Sequence, residues 1–206
     1  EFVKAYVDLG WNRYDKGLYE EAIQLFREGL KYGKNYSQLY AYLAWTYLVK
    51  GWVKDAEDTI KESLEANPMH PLSYYVLGLI YERRGWYSDA VTVYKKLLDI
   101  NKTFYSAFRN LRSIYNNSGN YDEAISMIKE RLEREPSNIV LYLDLADLYM
   151  RSKMFSEAIL ILERANEISP YYPEIYEYLG NLYYELEHKE KAIIYWEKAL
   201  EIEPGN

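Results

Sequence analysis

Gly17-Leu18-Tyr19-Glu20-Glu21-Ala22, Gly85-Trp86-Tyr87-Ser88-Asp89-Ala90 and Gly119-Asn120-Tyr121-Asp122-Glu123-Ala124 are three versions of one hexapeptide. Each places a tyrosine two residues after a glycine and an alanine three residues after the tyrosine. A step of 34 residues from the alanine returns alanine every time: Ala22, Ala56, Ala90, Ala124, Ala158 and Ala192. A leucine keeps the same step at Leu9, Leu43, Leu77, Leu111, Leu145 and Leu179. An aromatic precedes each leucine by three, at Tyr6, Tyr40, Tyr74, Phe108, Tyr142 and Tyr176. Tyr47, Tyr81, Tyr115, Tyr149 and Tyr183 form a further column, broken only by Arg13 in the first repeat. Pro68, Pro136, Pro170 and Pro204 close four of the repeats. Six repeats therefore fill residues 3–36, 37–70, 71–104, 105–138, 139–172 and 173–206 without an insertion. Self-similarity at such a period marks a stack of supersecondary modules.

The spacing within a repeat predicts two amphipathic helices and a tight turn. Tyr74, Leu77, Gly78 and Tyr81 fall at i, i+3, i+4 and i+7, one helical face. Gly85 sits where a helix end favours positive φ. The second helices open with acids, as in Glu20-Glu21 and Asp122-Glu123, which suit the positive end of the helix dipole. The alanine column is expected to face the small residue of the first helix (Gly10, Ala44, Gly78, Ala146 and Gly180) so that the backbones approach closely. A single helical pair cannot bury its apolar face, and stacking on the next pair does so.

This pattern resembles the tetratricopeptide repeat family over essentially the whole chain. The last repeat, with Tyr176, Leu179-Gly180, Tyr183, Ala192, Trp196, Ala199 and Pro204, lies close to the family ideal. The resemblance implies an all-α, right-handed α-solenoid of six helix-turn-helix repeats, a single array over residues 1–206. Two departures stand out. Arg112 replaces the small residue of the fourth repeat, where its stem either lies along the helix or loosens that repeat. Glu187 and Lys189 replace the turn glycine and aromatic of the sixth. With nothing after Pro204-Gly205-Asn206 to solvate it, the last helix is expected to leave Trp196 and Leu200 partly uncovered, a sign of truncation or of end-to-end contact.

Composition limits the function classes. Of 206 residues, 49% are hydrophobic and 28% charged, which excludes a disordered chain. Apolar runs fall far short of the roughly 20 residues that span a bilayer. Lys and Arg number 25 against 32 Asp and Glu, a net charge of −7 that argues against nucleic acid as a partner. No cysteine is present, so disulfides, thiolate metal sites and cysteine nucleophiles are excluded. Glu1-Phe2-Val3-Lys4 lacks the pattern of a secretory leader and reads as a cloning scar or the edge of an excised segment. The compartment is left open, with the cytoplasm favoured. The two histidines, His70 and His188, have no second ligand at helical spacing, and neither a phosphate-binding loop nor a nucleophile elbow occurs. No cofactor or metal and no enzymatic activity are expected. Tyr171-Tyr172 and Tyr183-Tyr184 read as packing and groove lining, and three Asn-x-Ser/Thr triplets as chance matches.

The resemblance further implies that the first helices line a concave face. On this chain its exposed positions bring Val7, Trp11 and Tyr14 from the first repeat, Trp45, Leu48 and Val49 from the second, and Tyr75, Leu79 and Arg83 from the third. Exposed apolar surface of this kind marks interaction sites, and Trp, Tyr and Arg are hot-spot residues. The fourth repeat changes character, with Arg109, Asn110 and Asn117 suited to gripping a peptide backbone or a carboxylate. Residues 173–206 hold three lysines and eight glutamates, whereas 3–36 hold six basic and five acidic residues. A protein or peptide ligand, apolar with a basic segment, complements that gradient. The Lys and Asn positions with which one family subclass clamps acidic chaperone tails hold Val7, Trp11, Tyr42, Leu72 and Val76, so that partner is not expected. The expected function is a non-enzymatic scaffold or adaptor. A self-associating homo-oligomer, and a recruiting segment of a larger enzyme or secretion component, stand as alternatives.

Overall fold

The computed structural model describes residues 2–204; Glu1, Gly205 and Asn206 lie outside the described residues, and with them the first residue of the expected scar and the last two positions of the sixth repeat. Among the described residues there are twelve helices and no strand. They are α1 (Phe2–Asp15), α2 (Tyr19–Tyr32), α3 (Ser37–Val49), α4 (Val53–Ala66), α5 (Pro71–Arg84), α6 (Tyr87–Ile100), α7 (Tyr105–Ser118), α8 (Tyr121–Arg134), α9 (Ile139–Arg151), α10 (Phe155–Ile168), α11 (Pro173–Glu185) and α12 (Lys189–Ile202). Two helices fall in each 34-residue repeat, as the spacing predicts.

Every turn inside a repeat is built alike. Gly17, Gly51, Gly85 and Gly119 take φ between 73° and 80°, and Lys153 and Glu187 adopt φ of 60° and 61° at the same column. The next residue then donates its backbone N–H to a carbonyl five residues back, as from Trp86 to Tyr81 at 2.9 Å and from His188 to Tyr183 at 2.9 Å. This is the Schellman closure, which satisfies carbonyls that a helix end leaves open. Among the described residues no side chain caps the start of α2, α4, α6, α8, α10 or α12. First-turn acids such as Asp55, Asp89 and Glu157 meet the helix dipole there instead.

The chain forms two compact units, residues 1–114 and 115–206. In the first, α1 pairs with α2, α3 with α4 and α5 with α6; α3 rests on α2 and α5 on α4, while α1, α3 and α5 lie side by side. In the second, α9 pairs with α10 and α11 with α12; α9 rests on α8 and α11 on α10. The boundary falls inside α7, two residues beyond the half-buried Arg112.

The small residue of the first helix does not face the alanine column. A Cβ on Gly10 would lie 2.3 Å from Phe26 Cε1, one on Gly78 2.3 Å from Tyr94 Cε1, and one on Gly180 2.3 Å from Trp196 Cδ1. The partner is thus the residue four beyond the alanine, one turn further along the same face of the second helix. Size is matched across the pair. Glycine meets an aromatic ring, whereas Ala44 and Ala146 stand opposite Ile60 and Leu162 in the repeat register. Ala22 and the five other alanines are fully buried.

The tyrosine and proline columns are also one device. The hydroxyls of Tyr74, Tyr142 and Tyr176 donate to the carbonyls of Pro68, Pro136 and Pro170 at 2.8, 2.9 and 2.8 Å. Each bond ties a first helix to the turn that leads into it. Two turns hold lysine in the proline column: Lys34 is followed in register by Tyr40, and Lys102 by Phe108, which has no hydroxyl to give.

Candidate interaction site

Within residues 1–114 the first helices carry a continuous run of rings. Trp11 stacks on Tyr14 at 4.8 Å between centroids and packs at 4.8 Å from Tyr42. Its edge meets Trp45 at 6.2 Å. Trp45 lies 5.6 Å from Tyr75, which in turn lies 5.1 Å from Phe104 and 6.2 Å from Tyr94. Aromatic pairs at these separations each add roughly 0.5–1.5 kcal/mol beyond the area they bury.

The run changes which of the expected groove residues face solvent. Val7, Leu48 and Tyr75, expected to be exposed, are buried. Tyr75 is covered by its ring neighbours on three sides and keeps only 7% of its surface. Val7 and Leu48 belong to the apolar core of the first two repeats. Trp11, Tyr14, Trp45 and Leu79 are half-buried, and Val49, Arg83 and Arg109 are exposed. Asn117 is exposed in the second compact unit.

Beside the ring run, between α3 and α5, lies a hollow of about 380 Å³ lined by Trp45, Leu48, Val49, Leu79, Glu82 and Arg83. Five of these six are residues singled out from the sequence. Its walls are apolar on the α3 side, while Glu82 and Arg83 lie side by side in the last turn of α5.

Glu82 is held in place from two other helices. The buried Tyr94 hydroxyl of α6 donates to Glu82 Oε1, and the Asn110 amide of α7 donates to the same oxygen at 2.9 Å and to the Tyr94 hydroxyl at 3.0 Å. Burial and then the Glu82 carboxylate push the Tyr94 phenol well above its usual range, so it stays a donor at any physiological pH. Among the described residues Glu82 Oε2 carries no hydrogen bond, so the carboxylate keeps an acceptor for a ligand. Asn110, expected to grip a ligand, instead completes this support. Tyr94 was missed by the sequence reading. Its signal is legible in retrospect: a phenol in a column otherwise held by Phe26, Ile60, Ile128, Leu162 and Trp196 needs a polar partner when buried.

A Ser–His pair also escaped the sequence reading. His70 Nδ1 lies 2.8 Å from Ser73 Oγ, Ser73 Oγ lies 2.6 Å from Ser63 Oγ, and Ser63 donates to the Ser37 carbonyl at 2.6 Å. Ser63 and Ser73 are fully buried, so this chain of polar groups satisfies the junction of the second and third repeats and offers no reachable nucleophile.

Among the described residues no helix is long and apolar enough to cross a membrane. No curated protein matches the chain in sequence. Solved structures share its fold. The C-terminal part of a TPR repeat-containing protein from Cytophaga hutchinsonii aligns with a TM-score of 0.78 at 19% identity, covering 98% of this chain and 79% of that one. The Pseudomonas aeruginosa pilF protein aligns at 0.70 and 17% identity, covering 100% and 94%. YrrB, described as a TPR protein with an unusual peptide-binding site, aligns at 0.64 and 19% identity, covering 88% and 93%. Family models described as tetratricopeptide repeat match residues 13–80 and 115–168, 72–104, and 173–206. With twelve helices in the matching register, one such model alone spans more than half the sequence, and the chain belongs to the tetratricopeptide repeat family.

Proposed function

We propose that this protein is a non-enzymatic interaction scaffold whose six repeats act as one array and whose first three repeats hold the primary contact for a protein or peptide partner. The observation that carries this reading is the open hollow between α3 and α5, apolar on one wall and edged by a carboxylate already fixed by Tyr94 and Asn110. An apolar side chain of an extended segment or helix enters against Trp45, Leu48, Val49 and Leu79. The half-buried Trp11 and Tyr14 form the adjoining platform. Glu82 receives a basic or amide group next to that apolar residue, and the exposed Arg83 and Arg109 donate to backbone carbonyls of the partner. Preorganisation of the rings and of Glu82 lowers the ordering cost of binding. Charge favours a partner with a basic segment, because the sixth repeat carries a net −5.

Selection from a displayed random peptide library, followed by affinity measurement, tests the reading. Val49 is 41% exposed, so Val49→Asp places a charge in the hollow at a small cost in stability, about 1 kcal/mol from the helix dipole at the α3 C-terminus, and circular dichroism verifies that the variant is folded. The expected result is a selected consensus with an apolar residue beside Lys or Arg, bound at least tenfold more weakly by V49D. Equal affinity of the two proteins for the selected peptides contradicts the site.

A further inference from the structure

Glu82 is the only carboxylate in its column, where the other repeats hold Tyr14, Leu48, Asn116, Met150 and Tyr184. Tyr94 is the only residue of its column with a hydroxyl. Asn110 is the only asparagine of its own, where the others hold Asp8, Tyr42, Val76, Asp144 and Tyr178. The network these three form has its residues in one repeat boundary of the chain and is no part of the packing that the repeats share. It holds a side chain that lines the hollow between α3 and α5.

The network uses one oxygen of the carboxylate. The Tyr94 hydroxyl and the Asn110 amide both donate to Oε1, and the same amide donates to the Tyr94 hydroxyl. A carboxylate oxygen accepts at two lone pairs, so Oε1 is filled. Among the described residues Oε2 receives no hydrogen bond. A guanidinium grips a carboxylate best through two parallel N–H bonds, one to each oxygen. That fork cannot form here without displacing Tyr94 or Asn110. An ammonium carries its donors on one atom and needs a single acceptor point. The walls Leu48, Val49 and Leu79 give a guanidinium no further acceptor, and Trp45 is already packed against Trp11 and Tyr75.

Resting on the reading that this hollow receives the partner, we infer that Glu82 is a single-point acceptor for a primary ammonium: the partner presents a lysine there and not an arginine. Tyr94 and Asn110 are the positioning residues that set this choice, because they occupy the oxygen that a guanidinium would need.

Calorimetric titration of the full chain with matched peptides tests this. The probe is the tightest library-selected peptide, synthesised in two forms that differ only in Lys or Arg at the basic position. The wild type is expected to bind the Lys form at least about threefold more tightly. Tyr94→Phe keeps the ring against Gly78 and frees a lone pair on Oε1, so it is expected to bring the two forms to within about twofold of each other. Asn110→Ala, at a half-buried position, narrows the ratio in the same way and serves should Y94F unfold. A selected consensus with no basic residue, or with Arg in place of Lys, overturns the inference. So does a Lys form favoured by less than about threefold, or a ratio that Y94F and N110A leave unchanged. In those cases weaker binding by V49D still supports the hollow as the site. Equal binding of both forms by wild type and V49D removes the hollow as the site and the inference with it.

Discussion

Gly78 and Tyr94 show how one position governs its neighbour. The ring of Tyr94 lies against the glycine so closely that a methyl group there would overlap it, and the same ring carries the hydroxyl that fixes Glu82. Gly78→Ala is expected to cost about 1–3 kcal/mol through overpacking, offset in part by the better helix propensity of alanine. Tyr94→Ile on its own removes the ring and its hydrogen bonds and is also destabilising. The double change recreates the Ala44–Ile60 arrangement of the second repeat, so the two losses are expected to be clearly less than additive. Chemical denaturation of the four proteins measures the coupling. Additive losses would show that the size match is not the reason for the glycine. The columns themselves were legible in the sequence, because a 34-residue step repeats every buried position. The partner of the small residue was not. Residues four apart share a helical face, so periodicity alone cannot decide between Ala90 and Tyr94.

Helices in this protein are tied together at their ends as much as along their faces. The Tyr–Pro hydrogen bonds fasten α5, α9 and α11 to the turns before them, and the buried serines with His70 fasten α4 to α5. Burial holds the His70 imidazole below its ordinary value of about 6.5. The unfolded chain therefore takes up this proton before the folded chain does. Stability from the neutral ring is complete above about pH 6.5 and is lost as pH falls from there through the folded value. Thermal melts at about pH 7.5 and about pH 5.5 are expected to show a larger drop for the wild type than for His70→Gln, whose amide keeps a partner for Ser73 without titrating. Equal drops would mean that the junction does not feel the imidazole charge. The element level was also where the sequence reading of the groove was least complete. Helix count and turn positions followed from spacing, and the ring row from the family resemblance. The burial of Val7, Leu48 and Tyr75 did not, because it depends on how neighbouring rings fill the space between helices, which no single-helix pattern records.

At the scale of the whole molecule, the design is a set of similar modules that rely on nearest neighbours, with unlike surfaces placed along it. Repeats two and three supply an open apolar hollow with a fixed carboxylate, and the sixth supplies a strongly acidic surface. Sequence repetition shows the modules, and the residues of the proposed site depart from it: Leu79 follows Trp11 and Trp45 in one column, and Glu82 and Tyr94 stand in columns where the other repeats hold different residues. The central claim is that the hollow between α3 and α5 receives the partner. Its most direct test is an NMR titration of the isotope-labelled full chain with a library-selected peptide. The account predicts that the largest shift changes fall on the Trp45 indole, Val49, Leu79 and the backbone of Glu82 and Arg83. Changes confined to other surfaces, with these signals unmoved at saturation, would contradict it.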